Sequence, residues 1–279
     1  VVLDIAAVLV FHGGVEGASF ATVISQLISA FLCHWYAGRK YPGIWPEKRH
    51  WSASLSQGWR HLRIGLPMAL QFSVTAVGIM ILQAYLNGFG SVVMAGYTAA
   101  GKVENLVTQP FTTLAAAMEV YCGQNYGAGK PERILQGIKV SALMMLTYAA
   151  ATWMILMLGS RWLALLFVAP SEVEILDYTE QFLHISCWFF PAVGLLCILR
   201  YAIQGVGFSN LAMLSGVSEM IARILVSLYA VPAFGFLGVC FGDPLAWVAA
   251  DLFLIPAFLY VYKKIKKRLD DEKVSVSAV

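Results

Sequence analysis

Charge is what this sequence has least of. Asp, Glu, Lys and Arg together make up 13% of its 279 residues, against about 25% in a typical soluble domain, so water is excluded as the solvent for most of its length. A net charge of +3, gathered in loops, is too small for a nucleic-acid partner. The five cysteines, Cys33, Cys122, Cys187, Cys197 and Cys240, are odd in number and lie in apolar runs without CxxC or metal-ligand spacing, which excludes a disulfide framework and a metal centre and leaves reduced core residues. The histidines are scattered and form no HExxH box. Gly123 to Pro131 superficially resembles a phosphate-binding loop, but Gln124 stands where the first glycine is required and Pro131 where Ser or Thr is required, so ATP bound by this chain is excluded as the energy source. No cofactor is expected. Strict polar–apolar alternation is missing too, and with it a transmembrane barrel.

What is present is apolar: 59% of residues, at a mean hydropathy of +0.71. Long apolar stretches run over about 1–11, 17–36, 62–88, 92–121, 140–158, 182–203, 211–231 and 244–262. Only helices or closed barrels satisfy every backbone group in lipid, and about 20 residues of helix cross the hydrocarbon core. These runs predict seven full spans and one short first segment, which has no basic leader or cleavage site and is read as the tail of a longer helix. The stretch 161–169 is too short to cross and is expected to be an interfacial helix. Lys and Arg cluster after every second span, at 37–63, 130–139 and 263–273, so all basic loops fall on one side and the C-terminus is placed in the cytoplasm of a multi-pass plasma-membrane protein.

Gly14-Val-Glu-Gly17-Ala-Ser-Phe20 is echoed six helices later by Gly235-Phe-Leu-Gly238-Val-Cys-Phe241. An even-helix repeat preserves orientation, so the first two segments read as helices five and six of twelve. The division expected is the end of an N-lobe at 1–36, a cytoplasmic linker at 37–61, a six-helix C-lobe at 62–268 and a tail at 269–279.

Ionisable residues at membrane depth are costly and are functional candidates by default. They are Asp4, Lys102, Glu104, Glu119, Glu219, Arg223 and Asp251, with Arg200 nearer the cytoplasmic end. On the fourth segment Thr98, Lys102, Asn105, Gln109 and Thr112 fall within a stripe of roughly 80°; a water-filled cavity and a polar seam between helices both accommodate it. Pro110 interrupts the same helix. Glu104 points away from Lys102 and joins Glu219, Arg223 and Asp251 as the intramembrane charges. Glu219 and Arg223 stand four apart with the acid first, which favours an ion pair, and Asp251 comes to a similar depth; such a network serves function or clamps two helices. Gln71, Thr75 and Gly78 share a face of the third segment, which Pro67 opens in its first turn. Trp188, just before Pro191, offers an aromatic surface for flat organic cations or for packing.

The stretches Gly65-Leu-Pro-Met-Ala-Leu-Gln71, Ala95 to Asn105, Gln109-Pro110 and Gly123-Gln-Asn-Tyr-Gly-Ala-Gly-Lys130 resemble C-lobe helices of the multidrug and toxic compound extrusion (MATE) family, and Val2-Leu-Asp4 with Gly14 to Gln26 resembles its fifth and sixth helices. The resemblance implies an all-α membrane protein, part of a twelve-helix, two-lobe transporter that exchanges small-molecule drugs or organic cations for H⁺ or Na⁺ by alternating access. It implies a monomer in a lipid bilayer with no metal and no enzymatic chemistry. In relatives with the Leu-Asp pair on helix five, that acid is part of an N-lobe ion site, which makes Asp4 the expected ion-coupling residue. Others place a carboxylate on helix seven after Gly-Leu-Pro; here that stretch is Phe72-Ser-Val-Thr75. Gln71, Thr75, Thr98, Lys102, Asn105, Gln109 and Trp188 are the expected cavity and substrate residues. The alternative is a flippase for lipid-linked oligosaccharide, which needs more Lys and Arg than Lys102 and Arg223 supply.

Overall fold

In the computed structural model, residues 3, 7, 14–41 and 54–277 are described, and every regular element among them is helical. Asp4 and residues 42–53 of the 37–61 linker expected from the sequence therefore lie outside the described residues. Contacts divide the chain into two units, Val1–Trp59 and Arg60–Val279. The first contains α1 (Gly14–Lys40), whose Phe20, Leu27 and Phe31 are exposed. A helix that is apolar all round suits lipid rather than water.

The second unit holds α2 (Leu55–Leu86) from Arg60 onward, then α3 (Ser91–Gly127), α4 (Pro131–Ala164), α5 (Val173–Ser186), α6 (Phe190–Gly205), α7 (Ser209–Leu225), the short α8 (Val231–Phe234) and α9 (Phe236–Cys240), and α10 (Gly242–Ser277). Among the described residues, six stretches are long and apolar enough to cross a membrane: Ser19–Lys40, Leu55–Phe89, Pro131–Ala164, Val173–Gly205, Ser209–Phe234 and Phe236–Leu269. The 37-residue α3 is as long as any of them and is missing from that set because its polar residues lower its apolarity.

Several of the crossings contain a break, and each break has a local cause. α5 and α6 form one span interrupted by a 3-10 turn, Cys187–Phe189; Pro191 enters the first turn of α6, where a residue without an amide is tolerated. A π turn at Val226–Ala230 precedes Pro232, which cannot donate to the ladder and forces a wider register. Gly235, at φ +62°, then reverses the chain in a conformation that suits glycine.

Two expectations about boundaries are corrected. α2 begins at Leu55, so Pro67 lies inside the helix rather than in its first turn. The stretch 161–169 is not a separate interfacial helix: α4 continues through Ala164 because Leu156, Ser160 and Ala164 keep a buried face at four-residue spacing. Arg161 sits in the last turn, where a cation suits the helix dipole, and pairs with Asp177 at 2.9 Å and Glu180 at 3.4 Å.

The core is built where α3, α4, α6 and α10 converge. Phe111 is fully buried and meets the rings of Tyr148 at 5.1 Å and Phe190 at 6.0 Å edge-on. In lipid, helices associate through close packing rather than hydrophobic expulsion, so small residues mark the crossings. A side chain at Gly123 would come within 2.9 Å of the Gly205 carbonyl, and one at Gly205 would collide with the Glu119 backbone. These contacts lock α3 to α6.

Candidate functional site: a polar helix face and a buried charge ladder

α3 has two chemically opposite faces. Val93, Gly96, Ala100, Val103, Phe111 and Met118 are buried, while Thr98, Lys102, Asn105, Gln109 and Thr112 are exposed on the other side. Their polar atoms are satisfied locally. Thr98 donates to the Met94 carbonyl at 2.8 Å, Asn105 Nδ2 to the Gly101 carbonyl at 2.8 Å and Thr112 to the Gln109 carbonyl at 2.8 Å. Such back-bonding lets the stripe tolerate a medium poorer than water while leaving Lys102 and the Gln109 amide available. Pro110 withholds one donor from the middle of this face, and the Tyr148 hydroxyl reaches the adjacent loosened turn, donating to the Val107 carbonyl at 2.9 Å. Lys102 Nζ stands 5.7 Å from the centre of the Phe167 ring.

Behind that face, four charges form a ladder across α6, α7 and α10. Arg200 of α6 donates through Nε to the Ser215 hydroxyl at 3.1 Å and through Nη2 to Glu219 Oε1. Glu219 Oε2 accepts from Arg223 Nη1 at 3.3 Å, one helical turn along α7. Arg223 is completed by Asp243 at the start of α10, with Nε and Nη2 each 2.9 Å from Oδ1. Two arginines face two carboxylates, so charge is balanced where burial would otherwise make it costly.

The Glu219–Arg223 pair expected from the sequence is present. Asp251 is not bonded into it: its Oδ1 is buried without a hydrogen-bond partner, although Arg200 and Glu219 act on it electrostatically. The place assigned to Asp251 is taken by Arg200 and Asp243. Glu104 approaches Arg223 and Asp243 only electrostatically, and its Oε1 is buried without a partner. No residue spacing could have disclosed Asp243, because it meets Arg223 only through the turns between α7 and α10.

Gln71 and Thr75 lie at a helix seam. Gln71 is buried, and its Oε1 accepts from Gln204 Nε2 at 2.8 Å. Both side chains press on Gly216 of α7, where an added Cβ would sit 3.1 Å from Gln71 Cγ and 3.2 Å from Thr75 Oγ1. They do not join the α3 stripe.

Residues 67–229 match the MatE family model, more than half of the chain. It belongs to the MATE family. The "Probable multidrug resistance protein YpnP" of Bacillus subtilis (strain 168) is 26% identical over 201 residues, covering 71% of this chain and 44% of that protein. The "Probable multidrug resistance protein NorM" of Thermotoga maritima is 25% identical over 238 residues, covering 82% of this chain and 49% of the other. This MATE chain thus spans about half the length of the curated relatives it matches. Among solved structures, the outward-facing conformation of a multidrug resistance MATE family transporter superposes with a TM-score of 0.84 at 20% identity over 95% of this chain and 60% of that one. The shared helical architecture is that of a multi-pass membrane protein.

Within the MATE fold Trp188 stands apart from the polar stripe. It is 61% exposed, packs edge-on against Trp153 of α4 at 4.9 Å and lines a cavity of about 370 Å³ with Leu146, Ala149, Ala150, Trp153, Cys187 and Pro191. None of the α3 stripe lines that cavity. The aromatic hinge and the polar face expected to act together are therefore separate features. Pro191 explains this, since the broken turn it terminates aims Trp188 toward α4.

Proposed function

We propose that this chain forms the C-terminal portion of a plasma-membrane exporter that moves drugs or organic cations out of the cell in exchange for H⁺ or Na⁺ by alternating access, with its C-terminus in the cytoplasm. The observation that carries this reading is the α3 stripe. A face bearing Thr98, Lys102, Asn105 and Gln109 is costly against lipid and is suited to an aqueous substrate path. The multidrug resistance descriptions of the relatives support the substrate class. Asp4 is the coupling acid in this reading: a carboxylate in a cavity binds either the ion or a cationic substrate, and that competition is what links the two fluxes.

The test is transport by the full-length protein in proteoliposomes, driven separately by a pH gradient and a sodium gradient. Cationic dye movement under one gradient is expected, and Asp4→Asn is expected to uncouple it. Cysteines placed at 105 and 109 are expected to react with a membrane-impermeant thiol reagent in at least one state. Absence of gradient-driven dye movement, with both positions sealed from the reagent in every state, overturns the proposal.

A further inference from the structure

Glu104 and Asp251 both stand outside the ladder, each with a buried carboxyl oxygen that has no partner, and Asp251 is the one within electrostatic reach of Arg200. Asp251 is 7% exposed, and its Oδ1 has no hydrogen-bond donor, a costly condition for an ionised carboxylate in a low-dielectric interior. A guanidinium is close by but turned elsewhere: Arg200 directs Nε to Ser215 and Nη2 to Glu219, both on α7. The charged groups that act on Asp251 are Arg200 of α6 and Glu219 of α7, with the Cys197 thiol of α6 also within electrostatic reach. Arg223 of α7 and Asp243 of α10 are engaged with each other. Two carboxyls thus compete for one guanidinium, and Glu219 holds it.

We propose that Asp251 is a proton-binding carboxyl of this lobe, and that its proton occupancy decides whether Arg200 ties α6 to α7 or turns toward α10. With the proton on, Asp251 is neutral, and Arg200 stays on Ser215 and Glu219 as the structure shows. When the O–H bond breaks and the proton passes to water, the carboxylate left behind draws Arg200 toward α10 and weakens the α6–α7 link. Arg223 keeps Glu219 from being stranded, since it already donates to Oε2. The proton is favoured over Na⁺ because a cation needs several oxygen ligands and would sit beside Arg200. This adds a proton site in this lobe to the exporter reading, while its test does not depend on transport.

The test is difference infrared spectroscopy of the purified, reconstituted full-length protein titrated in pH. The protein is expected to show a protonated-carboxyl C=O band that disappears on alkaline titration, of which one component is lost in Asp251→Asn and retained at a shifted frequency in Asp251→Glu. Replacing Na⁺ by choline is expected to leave the titration unchanged. An Asp251→Asn protein that melts as the parent does but keeps the whole band overturns the site, as does a titration that follows Na⁺ rather than pH. If Asp251→Asn fails to fold, an Asp251→Glu band identical to the parent's overturns it instead. Loss of dye movement with this band intact refutes the exporter reading alone; intact dye movement without an Asp251 component refutes the proton site alone.

Discussion

Glu219 is the residue on which the buried charges of the lobe converge. It is 3% exposed and shared by Arg200 and Arg223, so its removal leaves two guanidiniums competing for Asp243 and Asp251. Breaking a buried ion pair at one partner costs about 3–5 kcal/mol. Glu219→Ala is therefore expected to destabilise the protein by about that amount, measured by denaturant unfolding in detergent, whereas Arg161→Ala, which breaks an exposed ion pair with Asp177, is expected to cost much less. Arg200→Lys tests geometry at constant charge. Lysine cannot serve Ser215 and Glu219 through two fixed donors, so the variant is expected to lie between Arg200 and Arg200→Ala in melting temperature. Lys102 belongs to a different environment. It is the cation on the α3 stripe, and Lys102→Gln is expected to increase apparent affinity for cationic dyes relative to zwitterionic ones in the transport assay, because a like charge is removed from their path.

At the level of the helix, α3 joins two demands. Its apolar face packs in the core while its polar face, in the proposed function, lines an aqueous path, and the two can be separated experimentally. Gln109→Leu is expected to reduce transport at least tenfold while leaving the melting temperature unchanged, since the side chain is exposed and contributes nothing to the core. Gly205→Val is expected to do the reverse. The added branch would strike the Glu119 backbone, and overpacking a close crossing costs about 1–3 kcal/mol, so loss of stability should precede any specific effect on substrate. The tight seat of Gly216 on Gln71 and Thr75 gives the α2–α7 crossing the same sensitivity.

For the molecule as a whole, the expectation that bears on the most residues is topology. Charge asymmetry of the basic loops predicts a cytoplasmic C-terminus, so a protease site introduced after residue 277 is expected to be cleaved only in inside-out vesicles. Cleavage in intact cells would reverse the cytoplasmic and external ends of every span. The helical character of the chain was legible in the sequence because long apolar runs in lipid permit few alternatives. The polar face of α3 was equally legible, since residues spaced three and four apart must lie on one side of a helix. So was the Glu219–Arg223 pair, one turn apart on the same element. The continuation of α4 through Ala164 was not, because Arg161 interrupts an apolar run that the buried face carries past it.

The limit of the sequence falls where partners belong to different helices. Composition, run length and helical periodicity determined that the chain crosses a membrane as helices and which face of α3 is polar; these properties follow from one segment and its solvent. The tertiary structure alone decided that Arg200 and Asp243 complete the ladder, that Asp251 is left without a donor, that Gln71 bonds Gln204, and that Trp188 turns toward α4. Each depends on the angle and depth at which separate helices cross, set by glycine contacts, a proline break and a π turn acting together, and no spacing along one segment encodes that combination.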